Sequence, residues 1–132
     1  VIRIPAYAKA PELRRFELRN PDATCNPYFC YAAILMAGID GIKNKIDPHE
    51  NGWGPYDFNL FHLSDEEKAK LKQLPTSLDE ALNALEKDHD YLTAGGVFPE
   101  QLIKNFIANK RKECAELSKI PHPAEFEKYF NL

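Results

Sequence analysis

The sequence predicts an α+β fold in which two short strands, forming an antiparallel pair, precede a mainly helical remainder. Three observations lead to this prediction. β-Branched residues open the chain, charged and apolar residues alternate at 14–19, and from residue 26 onward apolar residues recur at helical spacing between capping residues and prolines. We interpret residues 1–132 as part of one compact domain.

Composition narrows the class of protein. Hydrophobic residues make up 44% of the chain and charged residues 28%, and the net charge is -3, which is typical of a globular protein and does not favour nucleic-acid binding. No apolar run approaches the ~20 residues needed to cross a bilayer, so no membrane partner is predicted. The three cysteines, at 25, 30 and 114, are odd in number and show no paired spacing, which favours structural thiols and a cytoplasmic setting.

The strands are predicted at 1–5, where Pro5 ends the first, and at 14–19, with a loop at 6–13 between them. In the second strand Phe16 and Leu18 point one way, as in a half-buried strand. The opposite face carries three charged residues, Arg15, Glu17 and Arg19.

A long helix is predicted at 26–45. Asn26 suits the capping position and Pro27 the first helical position, where no N–H bond is lost. Because this helix is apolar nearly all round, we expect it to be buried. Residues 46–63, rich in glycine, proline and aromatic residues, are predicted to form a structured loop.

Residues 64–132 are predicted to be a helical region. Ser64 caps a short helix, and Ser77 with Glu80 forms a capping box in which each side chain bonds the other residue's backbone amide. Gly95 and Gly96 are predicted to interrupt the helical region. Three longer or terminal helices are predicted, at about 78–91, 99–117 and 124–130.

The candidate functional site is the charged face of the strand pair. Neighbouring residues on one face of a strand lie about 7 Å apart, so two guanidiniums flank a carboxylate. Arginine suits phosphate or carboxylate, and glutamate suits Mg²⁺. The row favours a metal-nucleotide beside a carboxylate substrate, although a solvated strand face with ordinary ion pairs stays open. The residues are Arg3, Arg15, Glu17 and Arg19.

Segments in order along almost the whole chain resemble bacterial type I glutamine synthetase. They are Arg3-Ile4-Pro5, Arg15-Phe16-Glu17-Leu18-Arg19-Asn20-Pro21-Asp22, Cys25-Asn26-Pro27-Tyr28, Leu35-Met36-Ala37-Gly38-Ile39-Asp40-Gly41-Ile42, Pro121-His122-Pro123 and Glu125-Phe126-Glu127-Lys128-Tyr129. The resemblance implies that the chain is the C-terminal part of that family's catalytic domain. The absence of an initial methionine, with Val1 already in a predicted strand, adds to the expectation of a fragment.

The resemblance implies an ATP-dependent ligase that joins ammonia to glutamate through γ-glutamyl phosphate. Arg3 and Arg15 match arginines that contact the ATP phosphates, and Glu17 matches a ligand of the bridging Mg²⁺ or Mn²⁺. Arg19 matches an arginine that contacts the substrate glutamate or the transferring phosphoryl group, which implies a catalytic and glutamate-binding role. These roles agree with the chemistry of the charged row.

This chain departs from the family pattern in two ways. The loop at 6–13 is one residue longer than in the best-known members, so Lys9 is given no role. Some members are inactivated by adenylylation of a tyrosine in an Asn-Leu-Tyr segment, and the matching residues here are Asn59-Leu60-Phe61. Phe61 has no hydroxyl to modify, so we predict no adenylylation.

The implied partners are glutamate, ammonia and ATP, in a homo-oligomer of two stacked hexameric rings in which 123–132 contacts another subunit. The family's other metal ligands and its N-terminal domain lie upstream, so the 132-residue chain alone is expected to make no glutamine. Two alternatives stay open. One is a non-catalytic assembly or regulatory module derived from the same fold, and the other is an unrelated stand-alone nucleotide-binding domain.

Overall fold

The computed structural model describes residues 2–59 and 62–130. Two short antiparallel strands come first in the chain, and the described residues after them are mainly helical. The predicted α+β class, with strands before helices, is therefore confirmed. None of the described helices is long and apolar enough to cross a membrane.

The strands are shorter than predicted. Strand β1 (Ile2–Arg3) pairs with β2 (Glu17–Leu18), with Ile2 opposite Leu18 and Arg3 opposite Glu17. The predicted apolar face is only half correct, because Leu18 is half-buried beside the helical region while Phe16 is 66% exposed.

Helix α1 (Pro27–Lys43) forms where the sequence predicts a helix at 26–45. The Asn26 side chain accepts hydrogen bonds from the backbone N–H groups of Tyr28 (3.0 Å) and Phe29 (3.3 Å). These two bonds satisfy donors that the first turn of a helix otherwise leaves open.

The expectation that this helix is buried is wrong for the chain that the structure describes. Of the residues of α1, all of which are described, only Met36 is buried, while Tyr28 is 83% and Ile42 80% exposed. One stripe of the helix packs against the short helix at 90–93, and Phe29 contacts Phe98. Much of its remaining apolar surface faces solvent.

Five further α-helices follow in the described part of the chain: α2 (Asp65–Lys68), α3 (Leu78–Lys87), α4 (Asp90–Thr93), α5 (Glu100–Leu117) and α6 (Pro123–Tyr129). The single helix predicted at 78–91 is thus two helices. The backbone is extended at Asp88, and the His89 ring Nδ1 lies 2.8 Å from the Leu85 carbonyl oxygen. The ring satisfies a carbonyl near the helix end, where carbonyls lose their intrahelical partners.

The predicted capping box of α3 is half correct. Ser77 Oγ accepts from the Glu80 N–H at 3.1 Å. The Glu80 carboxylate, however, accepts from the N–H and hydroxyl of Thr76, at 2.8 and 2.9 Å. These bonds hold the pKa of Glu80 below its usual value. A reciprocal box forms instead at Ser64 and Glu67, at the start of α2.

The core lies where α3 packs on α5 and α1 packs on α4. Gly95 and Gly96, at φ 67° and 74°, form the turn between α4 and α5 in a conformation that favours glycine. This turn brings Phe98 into the core. The buried cluster consists of Met36, Leu82, Leu92, Phe98, Ile103 and Ile107.

At the edge of this core, Arg111 on α5 joins three side chains of α3. Its guanidinium lies 3.3 Å from the Asp79 carboxylate and 2.7 Å from that of Glu86, and it donates to Asn83 Oδ1 at 2.8 Å. The rigid fork of arginine suits such multiple contacts, and they fix the register between the two helices.

Leu82→Ala is expected to lower the free energy of unfolding by about 2–4 kcal/mol, because it removes buried methyl groups and leaves a cavity. Leu82 is 2% exposed, whereas Leu78, on the same helix, is 45% exposed. The matched change Leu78→Ala should cost less than about 1 kcal/mol. Urea unfolding followed by circular dichroism measures both, and equal losses would contradict the location of the core.

The ring of His89 is expected to stabilise the fold more at mildly acidic than at alkaline pH. Its hydrogen bond to the Leu85 carbonyl, and then the Glu100 carboxylate 3.3 Å from Nε2, raise the pKa of His89 against the opposing effect of burial. A raised pKa contributes stability that is present below the unfolded value, about 6.5, and is lost as pH rises through the folded value.

We therefore expect His89→Gln to destabilise the chain more at about pH 5.5 than at about pH 8, on either side of the ordinary histidine pKa. Denaturant unfolding at the two pH values measures this difference. His49→Gln is the control, since His49 is exposed and forms no ion pair with any described residue. A loss that is the same at both pH values would refute the role of His89 protonation.

Candidate functional site

The strand register creates the first contact of the candidate site. Arg3 and Glu17 lie directly opposite each other on β1 and β2, at the spacing where cross-strand side chains meet. The Arg3 Nη1 donates to Glu17 Oε2 at 3.1 Å. The two strand segments therefore position a guanidinium against a carboxylate.

A second guanidinium reaches the same carboxylate along the strand. Arg15 Nε lies 3.5 Å from Glu17 Oε1, so each carboxylate oxygen faces a different arginine. The predicted arrangement of two guanidiniums around Glu17 is present, but the flanking pair is Arg3 and Arg15. The sequence pattern predicts Arg15 and Arg19 on either side of Glu17 along the second strand.

Tyr7, which the sequence reasoning missed, holds the two arginines together. Its hydroxyl accepts a hydrogen bond from Arg15 Nη2 at 2.8 Å. The guanidinium carbons of Arg3 and Arg15 lie 5.6 and 5.5 Å from the centre of its ring, within cation–π range. The available signal was an aromatic residue in the loop that joins the two strands.

Arg19 lies apart from this cluster. It follows β2, is exposed, and forms no ion pair with any residue in the described part of the chain. With Cys25, Pro27 and Cys30 it lines a cavity of about 360 Å³ at the start of α1. The structure therefore brings Arg3, Arg15 and Glu17 into contact, and leaves the Arg19 guanidinium available for another group.

The charges of the site favour an anion. Three arginines and one glutamate give a net charge of +2, and the Arg3 and Arg15 side chains are about half exposed. The described residues contain no group of three or more side chains that could hold a metal ion. Glu17 therefore fits only one position around a divalent cation, as occurs when Mg²⁺ takes its other ligands from water and substrate phosphates.

A larger groove of about 850 Å³ lies beside the 20–26 connection, between α1, α3 and α5. Its lining is mostly apolar, with Phe29, Phe98 and Phe106 among its walls, and its charged lining residues are Asp22 and Lys110. This groove does not offer the converging positive charge that a polyphosphate needs.

Two other predicted features lie partly or wholly outside the described residues. Phe61, which is predicted to escape adenylylation, is not among them. The predicted contact segment 123–132 is described as far as residue 130. There α6 begins at the His122 cap, whose Nδ1 accepts from the Ala124 N–H at 3.1 Å, and its aromatic residues Phe126, Tyr129 and Phe130 are exposed.

Comparison with known proteins identifies similar chains. A family model described as the catalytic domain of glutamine synthetase matches residues 1–129. The chain is 52% identical to a glutamine synthetase of Aquifex aeolicus and 50% identical to one of Salmonella typhimurium, over 131 residues in each case. Each match covers 99% of this chain and 27% of the relative, so the chain spans about a quarter of the length of these proteins.

The charge balance of the site predicts how it binds inorganic tripolyphosphate. We expect Glu17→Gln to tighten binding by a few-fold, because it removes a negative charge that pairs with both arginines. Arg3→Gln should weaken binding by a similar factor. Calorimetric titration at low ionic strength measures both effects, since screening is smallest there.

Arg14→Gln is the matched control for this titration. It removes the same charge one residue from Arg15, and Arg14 forms no ion pair with any residue that the structure describes. A loss of affinity in Arg14→Gln equal to that in Arg3→Gln would show that net charge alone, and not the Glu17 cluster, attracts the anion.

Proposed function

The chain belongs to the glutamine synthetase catalytic-domain family, and we propose that it supplies part of the active site of an ATP-dependent ligase that makes glutamine from glutamate and ammonia. In this reaction the side-chain carboxyl of glutamate takes the terminal phosphoryl group of ATP, and ammonia then displaces phosphate from γ-glutamyl phosphate. The observation that most directly supports this proposal is that Arg3 and Arg15 contact the two carboxylate oxygens of Glu17.

Arg3 and Arg15 are proposed to bind the phosphates of ATP. Both guanidiniums are about half exposed, and their forked donors match phosphate oxygens. Tyr7 restrains both groups through its ring and hydroxyl. This restraint reduces the side-chain entropy that is lost when the phosphates bind.

Glu17 is proposed to hold the divalent cation, Mg²⁺ or Mn²⁺, that accompanies ATP. When bound, this cation neutralises part of the negative charge on the phosphates. Glu17 contributes one carboxylate to it and keeps the two guanidiniums oriented toward the same place. In this arrangement the carboxylate and the arginines bind adjacent groups of one metal-nucleotide.

Arg19 is proposed to contact the substrate glutamate or the phosphoryl group during transfer, and it is the proposed catalytic residue of this chain. Its guanidinium has no ion pair within the described residues, so its donors are available to an anion. Phosphoryl transfer depends mainly on positioning and on stabilisation of charge, and a guanidinium at the reacting group supplies both.

We also propose four properties that do not concern the charged residues of the site. The 132 residues alone are proposed to make no glutamine, since they match only 27% of the length of the two glutamine synthetases. Segment 123–132 is proposed to contact another subunit of a double-ring oligomer, supported by the exposed aromatic residues of α6. The setting is proposed to be cytoplasmic, and Phe61 is proposed to escape adenylylation.

A chimeric enzyme tests this function. Residues 1–129 of this chain would replace the matching segment of the Aquifex aeolicus relative, and glutamine formation would be measured with saturating ATP and Mg²⁺. We expect the chimera to be active and Glu17→Ala to lose at least about 100-fold in kcat/KM for ATP, as expected when a group on the transferring phosphates is removed. Arg19→Gln should mainly change kcat and the KM for glutamate.

Glu12→Ala is the matched control, because it removes an exposed carboxylate from the loop between the strands. It should leave activity near that of the unmodified chimera. If the chimera assembles but makes no glutamine, or if Glu17→Ala is as active as Glu12→Ala, the chain is instead a non-catalytic assembly module. The exposed apolar residues of α1 and α6 would then be its main functional surface.

A further inference from the structure

Two of the three cysteines, Cys25 and Cys30, lie on either side of the Asn26 cap at the start of α1. Cys25 immediately precedes the Asn26 cap, and Cys30 is the fourth residue of the helix. Side chains at these two positions face each other in many helices, where an apolar pair often fills them. Here both positions carry a thiol, and both cysteines are free.

The backbone around this pair is well ordered by hydrogen bonds. Asp22 Oδ1 accepts from the N–H and hydroxyl of Thr24, at 2.7 and 2.6 Å, and the Cys25 N–H donates to the Asp22 carbonyl at 3.1 Å. The Cys30 N–H donates to the Asn26 carbonyl at 2.9 Å. These bonds fix the backbone on both sides of the Asn26 cap, where the two cysteines lie.

The side chains of Cys25 and Cys30 also share their surroundings. Cys25 and Cys30 line the same two cavities, one of them shared with Arg19. Burial, and then the hydrogen bond that the Cys30 thiol makes to the Cys25 side chain, raise the pKa of the Cys30 thiol. Cys25 is exposed and Cys30 is half-buried, so reagents in solution meet Cys25 first.

We propose that Cys25 and Cys30 form a reversible dithiol–disulfide pair that is oxidised by low-molecular-weight disulfides such as oxidised glutathione. The ring it closes contains the Asn26 cap and fixes the connection that leads from Arg19 into α1. Oxidation therefore acts on the segment beside the proposed glutamate-binding arginine. The proposal does not depend on the proposed function, since it concerns the thiols alone.

The exchange proceeds in two balanced steps. The Cys25 thiolate attacks one sulfur of the glutathione disulfide, forming a mixed disulfide and releasing one glutathione thiolate, which takes up a proton. The Cys30 thiolate then attacks the Cys25 sulfur and displaces the second glutathione, which is protonated in turn. Two electrons pass from the cysteines to the glutathione disulfide, and the two cysteine protons end on the two glutathione thiols.

The test is to incubate the folded chain with oxidised glutathione, quench with acid, alkylate the free thiols and map the peptides by mass spectrometry. We expect a peptide cross-linked between Cys25 and Cys30, lost again on treatment with dithiothreitol. Cys114, on α5, should carry the alkyl group or glutathione. Mixed disulfides on both Cys25 and Cys30 without the cross-link, or a cross-link of either to Cys114 in equal amount, would overturn the proposal.

Serine variants separate the two roles. Cys30→Ser should accumulate the mixed disulfide at Cys25, because the thiol that resolves it is gone, whereas Cys25→Ser should leave Cys30 largely alkylated. Cys114→Ser is the matched control and should form the Cys25–Cys30 cross-link as the wild type does. If a serine variant fails to fold, peptide mapping of the wild type and of Cys114→Ser still decides the question.

Discussion

The packing of α3 on α5 around Leu82 is the contact on which the rest of the described structure depends. It aligns the Gly95–Gly96 turn, which returns Phe98 to the core, and it holds α4 where one stripe of α1 packs against it. The start of α1 in turn anchors the 20–26 connection, which leads back to Arg19 and β2. The charged strand pair itself adds little to stability, since its ion pairs are exposed and such pairs contribute about 0–1 kcal/mol each.

That weakness suits the proposed role of the strands. Glu17 is shared by two guanidiniums at 3.1 and 3.5 Å, and neither pair is sealed from water. An incoming anion can therefore replace one contact of each arginine without a large cost in desolvation, whereas a buried ion pair would resist such exchange. Tyr7 contacts both guanidiniums, so it would hold them close together during such an exchange.

Helix α1 combines a well-formed start with an uncovered apolar surface. Its cap and core contacts are ordinary, but Tyr28, Tyr31, Leu35 and Ile42 are all exposed. Exposed apolar surface of this extent commonly marks a region that another part of a protein covers. The same helix begins at the Cys25–Cys30 pair. The proposed disulfide therefore lies within two turns of the exposed side chains of Tyr28 and Tyr31.

The amino-acid sequence was sufficient to predict the order of elements, the caps at Asn26 and Ser77, and the residue types of the candidate site, because these depend on local spacing and on side-chain chemistry. It also predicted the family through segments spread along the chain. The folded chain was needed to show that Arg3, and not Arg19, completes the pair around Glu17, because strand register sets which side chains oppose each other. It likewise revealed the Tyr7 contact, the break at Asp88 and the exposure of α1. These three features depend on which elements pack against each other, and a local sequence pattern does not specify such packing.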